Sequence, residues 1–207
     1  MKYLKMFSLA AVAAVAAMAF IGAGTASATR ICSTNTLPCG SILGSGTPIK
    51  AELTGGNEAV LTSGFAVVKC KTSVISGETT SAGGGAGVAV LGTITSASWS
   101  NCACNLGGTV TTAAENLPWS AELNWTSEMN GTMKVANPQG SFVCAGTKCI
   151  YGATSVSTTV TGGAPAIVTA SVTLERKAGS GALCSATATW KGTYTVTSPN
   201  PLWVSEA

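Results

Sequence analysis

Covalent chemistry in this chain would fall to glutamate carboxylates, serine–lysine pairs or thiols. The sequence contains no His, and its eight acidic residues are all Glu. That excludes Ser–His–Asp and Cys–His nucleophilic systems, His-ligated zinc or copper, and calcium loops of the EF-hand kind. Glycoside hydrolysis by a Glu pair needs two carboxyl groups about 5–10 Å apart. Glu122 and Glu128 are six residues apart, which along a continuous strand is about 20 Å. Nothing in the sequence brings Glu115 to either. The glutamates therefore read as solubilising surface charge, with a Glu-dependent hydrolase as an alternative. No catalytic residue, metal or cofactor is expected.

The eight cysteines are more informative: Cys32, Cys39, Cys70, Cys102, Cys104, Cys144, Cys149 and Cys184. An even number in an exported chain reads as a disulfide framework, each bridge stabilising the fold by about 2–4 kcal/mol. Cys102-Ala103-Cys104 has a metal-like spacing in isolation, but half-cystines are the expected role in an oxidising compartment. Cys32 is expected to pair locally with Cys39. Cys144 and Cys149 are expected to face each other across Ala145-Gly146-Thr147-Lys148, which also sets Val143 against Ile150 and Phe142 against Tyr151. Cys102 and Cys104 point the same way from a strand, so they need different partners. The pairing among Cys70, Cys102, Cys104 and Cys184 stays open.

Export itself is read from the N-terminus. Lys2 and Lys5 precede an apolar, Ala-rich run from Met6 to Ile21, and Ala26-Ser27-Ala28 supplies small residues for cleavage. This reads as a secretory signal peptide, residues 1–28, because the run falls short of the ~20 residues a membrane anchor needs. The mature chain (207 less 28, or 179 residues) is long enough for one domain with its own core. Without Lys2 and Lys5, nine Lys and Arg stand against eight Glu. So weak a charge, with no basic stripe, excludes nucleic acid as a partner. No membrane span is expected in the mature chain. The expected location is extracellular or at the cell surface, with an unknown extracellular or cell-envelope ligand.

The elements that would position these residues are strands. From Leu183 to Val196, Ala186, Ala188, Trp190, Gly192, Tyr194 and Val196 alternate with Thr, Ser and Lys, a period of two with one face toward a core. Gly192 marks a bend or bulge. Trp119, Ala121, Leu123 and Trp125 alternate in the same way. A three-residue turn at Met129-Asn130-Gly131 would pair Trp125 with Val135. Between Val88 and Cys104, Ile94 and Trp99 are out of phase, which a bulge between them reconciles. Residues 48–53 and 58–63 read as a hairpin around Gly55-Gly56-Asn57, and 77–87 as a solvated glycine-rich loop. Residues 156–160 and 166–174 read as another hairpin, and 202–204 as a last short strand. No helical period follows Ala28. An all-β, antiparallel, disulfide-bonded sandwich or barrel of about ten to twelve strands is the expected fold. Trp119, Trp125 and Trp190 share faces with core residues. Trp99 and Trp203 are the less constrained tryptophans and the candidates for surface contacts with a ligand.

The C-x6-C start at Cys32, the V-x-C-x-x-S-x-x-x-G segment from Val68 and the Y-T-V-x-S-P-x-P-L ending from Tyr194 resemble a group of small secreted bacterial β-proteins with paired cysteines. The resemblance spans most of the mature chain. It implies export, β-structure and bridges, and carries over no activity and no site residue. In composition the chain is also similar to secreted enediyne-carrier apoproteins of the neocarzinostatin type, without a shared motif. The function expected from all this is a non-enzymatic binding or surface-interaction domain, with a small-molecule carrier as the first alternative.

Overall fold

Alternation of small or apolar side chains with Thr and Ser makes strands, and the computed structural model, which describes residues 28–207, holds fourteen of them and no helix. The expected signal peptide lies, except for Ala28, outside the described residues. The first five strands are β1 (Thr29–Cys32), β2 (Pro48–Leu53), β3 (Ala59–Ser63), β4 (Val67–Thr79) and β5 (Val90–Cys104). The middle of the chain supplies β6 (Thr111–Glu115), β7 (Trp119–Ser127), β8 (Asn130–Ala136), β9 (Gln139–Cys144) and β10 (Thr147–Gly152). Then follow β11 (Ser155–Thr161), β12 (Ile167–Arg176), β13 (Thr187–Ser198) and β14 (Trp203–Glu206).

Eight positions close into a barrel: β2 with β3, then β4, β5, β7, β8, β11, β12 and β13, the last pairing back to β2 and β3. The choice between sandwich and barrel is thereby decided. Every barrel strand turns alternate side chains inward, as in Ala51, Leu123, Val135, Val160, Ala170 and Val196. The outer positions of β11, β12 and β13 are mostly Ser and Thr; Thr132, Thr159, Thr169 and Thr193 stand in one row across four strands.

Two sheets complete the molecule. Strands β10, β9 and β6 extend from β12 and lie beside the outer half of β5. Only Tyr151↔Arg176 and Gly152↔Glu175 join β10 to β12. Strands β1 and β14 form a separate ribbon, Thr29↔Glu206 to Cys32↔Trp203, packed near β7, β8, β11 and β5. The Thr29 hydroxyl, fully buried, accepts from the Trp125 amide at 2.8 Å.

Several local expectations hold. The bulge between Ile94 and Trp99 falls at Thr95, where Ser76↔Ser96 gives way to Gly77↔Ile94. Strands β11 and β12 pair as a hairpin.

Others are overturned. Strands β2 and β3 are not a hairpin. They lie end to end in one strand position between β13 and β4, with residues 54–58 looped out. The sharp reversal instead comes between β3 and β4 at Ser63–Ala66.

The β7–β8 turn comes earlier than Asn130-Gly131. Ser127 pairs with Asn130, Trp125 with Gly131 and Ala121 with Val135, and Glu128 takes the left-handed φ of 52°. Gly131 is a glycine of close approach: a Cβ there would lie 2.7 Å from the Asn124 carbonyl oxygen and 3.0 Å from Val204 of β14.

Gly192 is neither a bend nor a bulge, since β13 pairs with β12 without interruption from Ile167↔Thr195 to Glu175↔Thr187. The Tyr194 ring lies over it, and a Cβ would sit 2.7 Å from the ring edge. The loop after β4 is anchored by Gly84, whose amide donates to the Thr29 carbonyl at 2.9 Å, so it is more than a solvated connection.

The disulfides are Cys32–Cys39, Cys70–Cys102, Cys104–Cys144 and Cys149–Cys184, with no free thiol. The local Cys32–Cys39 bridge and the separate partners of Cys102 and Cys104 are as expected. Cys144–Cys149 is not formed. The β9–β10 turn is the two-residue Ala145-Gly146, with φ of 47° and 76°, which pairs Cys144 with Thr147 and Cys149 with Phe142. Positive φ at both central residues is the type I′ geometry that suits the strand twist. The two cysteines are thus offset, and each reaches a neighbour outside the hairpin: Cys104 at the end of β5, and Cys184 in the loop before β13. Four disulfides suit an oxidising environment. Among the described residues no helix is long and apolar enough to cross a membrane.

Candidate functional site

The interior of the barrel is incompletely filled. A cavity of about 170 Å³ lies between the inward faces of its strands, lined by Ile49, Val90, Leu123, Met133, Val168 and Val196 among others. Leu202 and Ile31 of the β1–β14 end contribute to the same wall. A second cavity of about 100 Å³ lies where β3, β4, β12 and β13 meet the β6–β9–β10 sheet. Ile75, Trp119, Pro138, Val156 and Trp190 line both, so the cavities share a wall. Ala51, Ala121 and Ala170 are small side chains on the wall of the larger cavity, so the eight-stranded barrel is left with room.

Trp190 of that shared wall lies among two further aromatic side chains, Trp99 and Tyr194. Trp99 meets Trp190 edge to face at 6.4 Å between ring centres, and Trp190 meets Tyr194 at 6.0 Å. Ser73 and Trp99 are opposite each other on β4 and β5. The Ser73 hydroxyl and the Tyr194 hydroxyl are 3.1 Å apart and both buried. Burial pushes the Tyr194 pKa above its ordinary value of 10.0, the Ser73 hydrogen bond and the nearby Trp99 N–H pulling against it. The Trp99 N–H nevertheless completes no hydrogen bond.

Trp99, expected at the surface, therefore lines the smaller cavity. The Thr95 bulge that restores its phase also turns it inward. Trp203 is half-exposed and packs over Gly162. Trp190, assigned to the core by its alternation, is one of the five residues that line both cavities.

No family model, curated protein or solved structure matches this chain. Its site is read from its own geometry.

The glutamates considered for hydrolysis have separate surroundings. Glu115 on β6 accepts from the Ser141 hydroxyl at 2.7 Å and pairs with Lys148 at 3.5 Å. Glu122 on β7 accepts from the Asn124 amide at 2.9 Å, and Glu128 lies in the β7–β8 turn. The Ser141 hydrogen bond, helped by Lys148, holds the Glu115 carboxyl below its ordinary 4.5, opposite to what a general acid requires. Among the described residues no three His, Cys, Asp or Glu side chains gather as a metal site.

The depressed Glu115 pKa stabilises the fold above pH 4.5, and that contribution fades as pH falls through the lower, folded-state value. Glu115→Gln should therefore lower Tm slightly on the neutral limb and converge with the parent protein at acid pH, flattening the fall of the Tm-against-pH curve below pH 4.5. The pair is partly exposed, so the effect should stay below about 1 kcal/mol.

Proposed function

We propose that this chain is an exported, non-enzymatic binding protein that carries a small, mainly apolar molecule inside its barrel. The observation that carries the reading is the cavity of about 170 Å³ walled by aliphatic and aromatic side chains. Apolar cavities of ~150 Å³ stay dry and accept benzene-sized molecules, and eight-stranded barrels are wide enough to hold one small ligand. The separate surroundings of Glu115, Glu122 and Glu128 favour carriage over hydrolysis. The half-exposed Trp203 remains a contact point for a cell-envelope partner.

Toluene serves as the probe. Saturable binding, followed by NMR titration and by a rise in Tm, is expected for the oxidised protein. Ala51→Leu places three more carbons in the cavity and should weaken toluene at least tenfold. Stability should rise by about 1 kcal/mol, since each newly buried methylene contributes ~0.8 kcal/mol before packing losses. Opposite signs for binding and stability distinguish the interior from a surface site. Equal toluene affinity in the variant, or no saturable binding by the parent protein, would sink the reading.

A further inference from the structure

The two cavities lie end to end along the strands. On β12 the larger is lined by Val168 and Ala170, and the smaller by Val172 and Leu174. The same change of cavity falls at Ile75 on β4, Val156 on β11 and Trp190 on β13, each of which lines both. From Val168 to Leu174 the strand runs about 20 Å, or about 15 Å along the axis of a barrel whose strands tilt by roughly 40°. Side chains alone divide this length: Ile75, Val156 and Trp190, with Trp119 of β7 and Pro138 of the β8–β9 link. Ile75 and Trp190 face inward yet are only half-buried, so the divider is not packed as densely as a core. At about 100 Å³ the smaller cavity falls short of the ~150 Å³ that accepts benzene.

We propose that the two cavities form one site for a single elongated molecule, with a broad apolar head in the larger cavity and an uncharged hydrocarbon tail passing the divider into the smaller. The tail is uncharged because no charged side chain lines the smaller cavity, and an ion would be desolvated there without a counter-charge. It is a hydrocarbon because the polar side chains of that wall are engaged within the protein. Thr112 donates to the Trp99 carbonyl at 2.8 Å, Gln139 accepts from Asn116 at 3.2 Å, and Ser141 donates to Glu115 at 2.7 Å. A tail tethered to a bound head enters the second cavity as an intramolecular step, so translational freedom is lost once rather than twice. This inference rests on reading the barrel interior as a binding site.

Toluene and hexylbenzene test it, being the same ring without and with a tail. Relative affinities are read by competition in NMR titrations of the oxidised protein and of Ala59→Leu. Ala59 is buried and lines the smaller cavity but not the larger, so leucine there takes up the room of the tail. In the parent protein hexylbenzene should bind at least about 100-fold tighter than toluene, each buried methylene contributing roughly fourfold. Ala59→Leu should cut that ratio by about tenfold or more, three carbons of room being lost, and leave toluene itself unchanged. In the parent complex the terminal methyl should show NOEs to Val172 and Leu174, and the ring to Val160 and Val168. If Ala59→Leu does not fold, those contacts decide alone. An unchanged ratio in the variant, or a terminal methyl against Val160 or Val168, overturns the inference and leaves the larger cavity as a separate site. So does hexylbenzene binding no tighter than toluene. Binding of neither probe overturns the carrier reading as well.

Discussion

Replacing Cys104 and Cys144 by alanine should lower the stability of the oxidised protein by about 4 kcal/mol, while removing Cys32 and Cys39 should cost only about 2 kcal/mol. The difference comes from the unfolded chain. Cys104–Cys144 closes a loop with a sequence separation of 40, and Cys32–Cys39 closes one of 7. Longer closures remove more conformations from the denatured ensemble. The folded structure adds a second reason. The β6–β9–β10 sheet joins the barrel ladder through only two residue pairs of β10–β12, and Cys104–Cys144 and Cys149–Cys184 are its covalent attachments, beside hydrogen bonds such as Thr112 to the Trp99 carbonyl. Loss of the first bridge should therefore also speed amide exchange in β6 and β9 ahead of the barrel strands. Guanidinium unfolding and native-state exchange read the two effects. Equal losses for the two bridges, or uniform exchange, would contradict this account.

Tyr151→Ala should cost about 3–5 kcal/mol, and Tyr151→Phe about 1 kcal/mol. The side chain is fully buried, stacks on Phe142 at 6.1 Å, and donates its hydroxyl proton to the Ser185 carbonyl at 3.0 Å. It thereby joins β10 and β9 to the segment that carries Cys184. Alanine leaves a hole beside the smaller cavity, where the wall is already incomplete and relaxes poorly. Phenylalanine keeps the stack and gives up one hydrogen bond. Chemical denaturation of the two variants separates packing from hydrogen bonding; a Phe variant as unstable as the Ala variant would assign the effect to the hydroxyl.

The candidate site was partly legible before the fold. The alternation of β13 placed Trp190, Tyr194 and Val196 on one inward face, and that face does line the cavities. Trp99 was harder to place. Its phase depends on one extra residue, Thr95, whose effect on direction is fixed only by the pairing with Ser76 and Gly77 of β4. Nor did the alternation reveal that the interior would be hollow. Gly192 looks like a bend until the Tyr194 ring is seen to occupy the space above it.

By itself, the sequence determined that the chain is built of strands, the inward faces of β7 and β13, the short Cys32–Cys39 bridge and the bulge before Trp99. These depend on side-chain period and short separations along the chain, which are local properties. Tertiary structure alone decided that β2 and β3 share one strand position, that β1 pairs with β14, and that Cys149 bridges to Cys184. It also decided that Gly131 serves the crossing of β14. Each of these depends on which distant backbone comes alongside. Closure of the barrel sets that alignment for all of its strands at once, and no local period carries the information.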